Sequence, residues 1–237
     1  ILVTPLEEFL RAGAFFGISS IPVDTDNVVR RIFWGTPEAP SLEVSALRML
    51  RLSSEQDERK MINFVGPAYH IPYVPYYQAL RPDLYLPKGF FKGKVVLVGK
   101  YSRPSKEPTA DSMSRYRYHL QPPSPIRGVD MFATPFYIMD NRLTPGIEIH
   151  ANMLLSLIRN DFLKPLRTRE AVILIVCVSI FLTIVNLHWS PLKSISLNVL
   201  FGLIYLLSCY FLLSRQGLFI PLTAPSLAVL INFVSSG

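Results

Sequence analysis

The sequence Pro145-Gly-Ile-Glu-Ile-His-Ala-Asn-Met-Leu-Leu-Ser-Leu-Ile-Arg-Asn-Asp-Phe-Leu-Lys-Pro165-Leu166 is followed by Arg167-Thr168-Arg169-Glu170 and an apolar run from Ala171. Ile147, Ala151, Leu154, Leu155, Ile158 and Phe162 recur at three-and-four spacing, which predicts one apolar helix face, with Glu148, Asn152 and Arg159 elsewhere on the wheel. Pro165 offers no N–H and biases Lys164 away from helix, so this helix is expected to end there. A second helix is expected to restart near Thr168 as N-cap, leaving residues 165–170 as a joint. A folded body is thus tied to a membrane.

Downstream, three apolar runs cover residues 171–187, 195–213 and 218–234, each near the lower length limit for crossing a hydrocarbon core of roughly 30 Å. The short links between them predict tight hairpins, hence a three-helix transmembrane bundle. Pro221 and Pro225 would suit a broken transport helix, but the runs hold no acidic or basic side chain, and a kinked anchor is favoured. Residues 1–170 hold 22 of the 24 Lys and Arg and all 17 Asp and Glu, leaving +5 on the body. Such dilute charge reads as a solvated surface rather than a nucleic-acid interface.

Both cysteines, Cys177 and Cys209, fall in apolar runs, so the body can hold neither a disulfide nor a cysteine-ligated zinc. No metal or cofactor site is expected. The chain opens on Ile1-Leu2-Val3 without Met or signal peptide, and both flanks are expected to continue.

Upstream, residues 1–4 read as a strand end and residues 5–10 as a short helix with Pro5 in its first turn. Asp24-Thr25-Asp26-Asn27 punctuates a hairpin-like region whose return arm is residues 28–34; a calcium loop begun at Asp24 would need Gly at position 29 and Glu at 35, and Val29 and Gly35 stand there. A turn is expected. Residues 41–50 predict a covering helix with Ser41 as N-cap and Leu42, Ala46, Leu47 and Leu50 inward. Residues 61–65 predict a short strand, and the loop after it carries Tyr69, His70 and Tyr73, candidate pocket residues weighed against rings that only cover a sheet edge. Lys94-Val95-Val96-Leu97-Val98-Gly99 reads as a buried, central, parallel strand. Residues 100–128 lack periodicity and read as a flexible insertion.

Catalysis is not expected here: the nucleophile elbow, Walker loop, dinucleotide fingerprint and zinc-protease motif are all missing, and Glu148 and His150, two apart on a helix, point different ways. Gly146 permits close approach at a helix start that favours a carboxylate, a role open to Asp130. Asp130, Thr134, Gly146, Glu148, His150 and Asn152 are therefore candidates for ligand binding, for signal coupling, or for fixing the fold.

Taken together, Asp26-Asn27-Val28-Val29-Arg30-Arg31, Asn63-Phe64-Val65-Gly66-Pro67, residues 92–99, Asp130-Met131-Phe132-Ala133-Thr134-Pro135 and Pro145-Gly146-Ile147-Glu148-Ile149-His150-Ala151-Asn152 resemble the second type of CHASE domain, a sensory domain of bacterial cyclases and kinases. The resemblance implies an α/β fold, a three-layer sandwich-like body (residues 1–164) with a central, mostly parallel sheet that is incomplete at its N-terminal side. It further implies a body outside the cytoplasmic membrane, an unknown extracytoplasmic ligand or envelope component, homodimerisation and three spans in membrane lipid. An adenylate or guanylate cyclase, or a protein kinase, would follow beyond residue 237; an envelope structural protein without effector is the competing class. The family Gly in the Asp-Gly-Val-Val-Arg turn is Asn27 here, which a left-handed turn tolerates. Lys164, Arg167 and Arg169 would place the first span's N-terminal flank inside by charge alone, whereas the resemblance places it outside.

Overall fold

The computed structural model describes residues 6–100, 130–188 and 191–220. Among them it shows a mixed α/β chain of eight helices and five short strands. The chain divides into two compact units, Ile1–Glu58 with Ile62–Asp161, and Arg59–Met61 with Phe162–Gly237. The expected strand at residues 1–4 and the insertion lie outside the described residues, save for residue 100.

The first unit is built around two helices packed on each other, α2 and α6. After α1 (Glu7–Arg11) the chain reaches α2 (Leu42–Met49), whose N-cap Ser41 accepts the Val44 N–H at 3.2 Å, as its sequence predicts. The strand β1 covers only Met61–Ile62; α3 (Tyr76–Leu80) and α4 (Pro82–Tyr85) follow. The strand β2 (Met131–Phe132) pairs antiparallel with β3 (Thr144–Pro145) around α5 (Tyr137–Asp140), and α6 (Gly146–Arg159) leaves directly from β3. Val28, Val29, Ile32, Leu47, Ile62, Met131, Ala133, Ile149, Met153 and Leu157 form the core.

Several expectations are corrected. The arm 28–34 folds back on its preceding segment only at the turn, where the Val28 carbonyl accepts the Asp24 N–H at 3.1 Å; beyond it, Val29 N–H bonds to the Ala133 carbonyl, Val28 bridges Ala133 in parallel, and the Arg30 carbonyl accepts the Ile62 N–H, so distant chain takes the other backbone bonds. Residues 94–99 form no strand, and Val95, Val96 and Val98 are at least half exposed. A doubly buried strand needs neighbours on both edges; among the described residues none flanks this run. Among the described residues the sheets are small, three strands in one and two in the other, and they make no three-layer sandwich.

Both main helices bury only part of the predicted faces, Leu47 on α2 and Leu154 on α6, and bury polar neighbours beside them. On α2 the buried side chains are Glu43, Ser45 and Leu47, while Leu50 is exposed. On α6 they include Glu148, Ile149, His150, Asn152, Met153, Ser156 and Leu157; of the predicted face Leu154 is buried, as is Phe162 beyond the helix end, but Ile158 is exposed and Ile147, Ala151 and Leu155 are half-buried. Helix α6 also stops before Pro165. Asn160 adopts φ +51°, its N–H bonds to the Leu157 carbonyl and Asp161 N–H to the Ser156 carbonyl, a Schellman ending that closes the helix at Arg159.

In the second unit, β4 (Phe162–Pro165) pairs in parallel with β5 (Leu218–Phe219) in the strand order β1-β4-β5. Pro165 is therefore a strand residue and not a hinge between helices. The ladder takes the N–H groups of Lys164 (to Gly217) and Leu166 (to Phe219), so the missing N–H at 165 costs this pairing nothing. The helix α7 (Thr168–His188) has Thr168 as its first residue rather than its cap: Arg167 N–H donates to Glu170 Oε2 at 3.2 Å across the first turn. The helix α8 (Pro191–Gln216) contains the one segment among the described residues long and apolar enough to cross a membrane, Ser196–Gln216. The third expected span is not met where it should begin, since Leu218–Phe219 is strand; its continuation lies outside the described residues.

Candidate functional site

Helix α6 brings most of the candidate residues together, and it does so with two polar faces. Glu148, Asn152 and Ser156 stand four apart, so they fall on one stripe. All three are buried, and each is bonded to the segment 63–71, which runs past in the opposite direction. Glu148 accepts the N–H groups of Tyr69 (2.9 Å) and Ile71 (3.0 Å), one on each carboxylate oxygen. Asn152 accepts the Val65 N–H at 3.1 Å and donates its amide to the Glu148 carbonyl at 2.9 Å. Ser156 Oγ accepts the Asn63 N–H at 3.2 Å, and Asn63 donates to Asp161 at 3.0 Å.

This stripe explains why a carboxylate tolerates 3% exposure. Two charge-assisted bonds replace its water, and its place in the first turn sets it near the positive end of the helix dipole. Tyr69, at φ +68°, is held in a left-handed conformation that turns its N–H toward Glu148. Tyr69 is half-buried, whereas His70 and Tyr73 are exposed on the same loop. Gly66 has no room for a Cβ, which would lie 2.6 Å from His70 Cγ, so the imidazole packs over that glycine.

His150 faces elsewhere. Its Nδ1 pairs with Glu43 of α2 and its Nε2 lies 2.9 Å from Ser19 Oγ. His150 and Glu43 are buried, Ser19 reaches the surface, and the second Glu43 oxygen is buried with no hydrogen-bond partner among the described residues. Hydroxyl, imidazole and carboxylate follow one another as in a hydrolase relay. Ser19, however, follows an extended segment bridged to Ser41, not a strand-to-helix elbow, so the arrangement links three chain segments across α6.

At the head of α6, Asp130 sits over Gly146. Gly146 N–H donates to the Asp130 carbonyl at 3.0 Å, and a Cβ at Gly146 would lie 2.3 Å from Asp130 Oδ1. The carboxylate fills the space at the helix start that only glycine leaves open. Thr134 is buried beside Thr144, with their hydroxyls 3.5 Å apart, and its carbonyl accepts the Tyr137 N–H.

Asp24 and Asp26 are committed to arginines. Arg30 binds both oxygens of Asp26 (2.8 and 2.6 Å) and one of Asp24 (3.2 Å), and Arg31 takes the other Asp24 oxygen. Hydrogen bonding from Arg30 holds the Asp26 carboxyl below its ordinary range, and Arg30 is raised in turn. Asn27 occupies φ +63° in this turn, as its substitution for glycine predicts.

The reading from sequence missed Glu43, Ser19, Asn63 and Ser156. For Ser156 a signal was present, the recurrence of polar residues at 148, 152 and 156. For Glu43 there was none, because a glutamate in a helix's first turn ordinarily serves the helix dipole from the surface.

Residues 4–185 match the family model described as the CHASE2 domain. No curated protein and no solved structure matches the chain.

Proposed function

This chain belongs to the CHASE2 domain family, and on that premise we propose that it is the input part of a multi-pass membrane signalling protein, with α6 as the element that reports the state of the body. CHASE2 domains are extracellular sensory domains of signalling proteins and are not catalytic. The body stands outside the membrane, takes an extracytoplasmic ligand or envelope component, and works as a homodimer. Crossings in α7 and α8 and a third in the chain after Phe219 lead to an adenylate or guanylate cyclase beyond residue 237, with a protein kinase as the other effector of this kind.

The observation that carries the reading is the convergence on α6. Within three turns, its side chains bind the 63–71 loop, α2 and the Ser19 segment, and only eight residues (160–167) separate its end from α7. A ligand that shifts any of these three segments must change bonds on one helix. Asp130 fixes where that helix starts.

A cyclase reporter joined after Gly237 tests the coupling. Asp130→Ala, Glu148→Ala and His150→Ala are expected to change basal output or its response to envelope conditions, with His150→Gln restoring part of it. Wild-type output from all three alanine variants would sink α6 as the transmitter.

A further inference from the structure

We propose that residues 76–98 form a surface that lies on an anionic lipid headgroup layer. Helices α3 and α4 bury no residue, and Tyr76, Tyr77, Leu80, Leu84 and Tyr85 are each more than half exposed. Tyr77 and Tyr85 hold each other edge to face at 5.7 Å, so the rings form one patch. The exposed apolar run continues through Val95, Val96 and Val98. Arg81, Lys88, Lys92 and Lys94 are interspersed with it along the chain, all exposed, against the single acid Asp83. Lys94 Nζ stands 4.0 Å from the centre of the Phe90 ring, so cation and ring share this stretch.

Large apolar side chains exposed in this number along one stretch mark an interaction site. Its chemistry selects the partner. Protein interfaces are depleted of lysine, whereas tyrosine rings beside lysines on long stems match a bilayer boundary, where rings sit at headgroup depth and ammonium groups meet phosphates. The same chain carries a segment able to cross a membrane, Ser196–Gln216, which keeps a bilayer within its own molecule. The proposal is separate from the effector assignment and stands if the fused reporter is silent.

The test is amide hydrogen exchange of the whole chain in nanodiscs, comparing pure phosphatidylcholine with a phosphatidylglycerol mixture. Exchange across 76–98 is expected to slow about tenfold or more in the anionic discs, with 146–159 unchanged as the folding control. Each basic side chain near the surface is worth roughly fivefold in partitioning. The triple variant Lys88→Gln, Lys92→Gln, Lys94→Gln should therefore lose about a hundredfold and return to the phosphatidylcholine rate. Equal exchange in both discs overturns the proposal, as does protection that survives the triple variant. Protection that instead rises with protein concentration, whatever the lipid, would assign the surface to a second copy of the chain.

Discussion

Along α6, Glu148, His150, Asn152 and Ser156 are buried, while along α8 Val199, Leu200, Leu203, Ile204, Leu207 and Phe211 are each at least half exposed. The inversion has one cause. A helix formed in water may bury a polar group when partners are fixed around it, and α6 finds them in backbone N–H groups and in Glu43. A helix whose surroundings are hydrocarbon has no reason to hide leucine and must satisfy its polar groups internally. In α8, Ser208 returns its hydroxyl to the Ile204 carbonyl, and Ser194 and Asn198 are buried. Burial in the first unit therefore marks completed hydrogen bonding, whereas in the second the exposed leucines mark the segment long and apolar enough to cross a membrane, Ser196–Gln216.

The comparison breaks most readily at Glu148. Glu148→Ala takes the acceptor from two part-buried N–H groups and should destabilise the body by about 4 kcal/mol, at 1.5–3 for each bond to a charged group. Urea unfolding in mild detergent, followed by exchange of the 63–71 amides, measures it; a loss below about 0.5 kcal/mol would mean that the stripe does not hold the loop. Next comes Leu203→Lys. On a helix surface in water a 55% exposed leucine would accept lysine almost freely, but at mid-membrane the change should cost about 3 kcal/mol of insertion. Glycosylation mapping of insertion reads this, and full tolerance would remove α8 from the bilayer.

The smallest effect is expected at Asp26. Its folded pKa lies below the unfolded value of 3.8, so its contribution is present above that value and disappears as pH falls through the lower, folded one. With the Asp26 side chain 46% exposed, screening keeps the contribution small. Acid unfolding of Asp26→Asn against wild type should show a shallower loss of stability below about pH 4; parallel curves would show that the Arg30 pair contributes nothing.

What could be read from sequence was whatever local chemistry decides. The Ser41 cap, the left-handed Asn27 and the restart of helix at Thr168 all depend on residues within one turn of each other. The buried face of α6 did not, because periodicity counts Glu148 and Asn152 as outward, and only segments nearly 80 or more residues away turn them inward. Residues 94–99 failed for the complementary reason: their composition suits a strand, but a strand exists only with a partner. Within the candidate site, the motif residues were legible as a group, whereas the division of labour between the stripe and His150 required Ser19 and Glu43 to be in place.

The pairing of β4 with β5 has a topological consequence. Lys164 N–H bonds to the Gly217 carbonyl at 2.7 Å, and a Cβ at Gly217 would lie 2.4 Å from the Phe162 carbonyl oxygen, so residues just before α7 touch residues just after α8. Two points in contact stand on the same side of any bilayer, and the chain between them must cross it an even number of times. Helices α7 and α8 therefore cross as a pair or not at all. Parity then places the burden of changing sides on the chain after Phe219: one further crossing puts residue 237 opposite β4, and none leaves it on the same side.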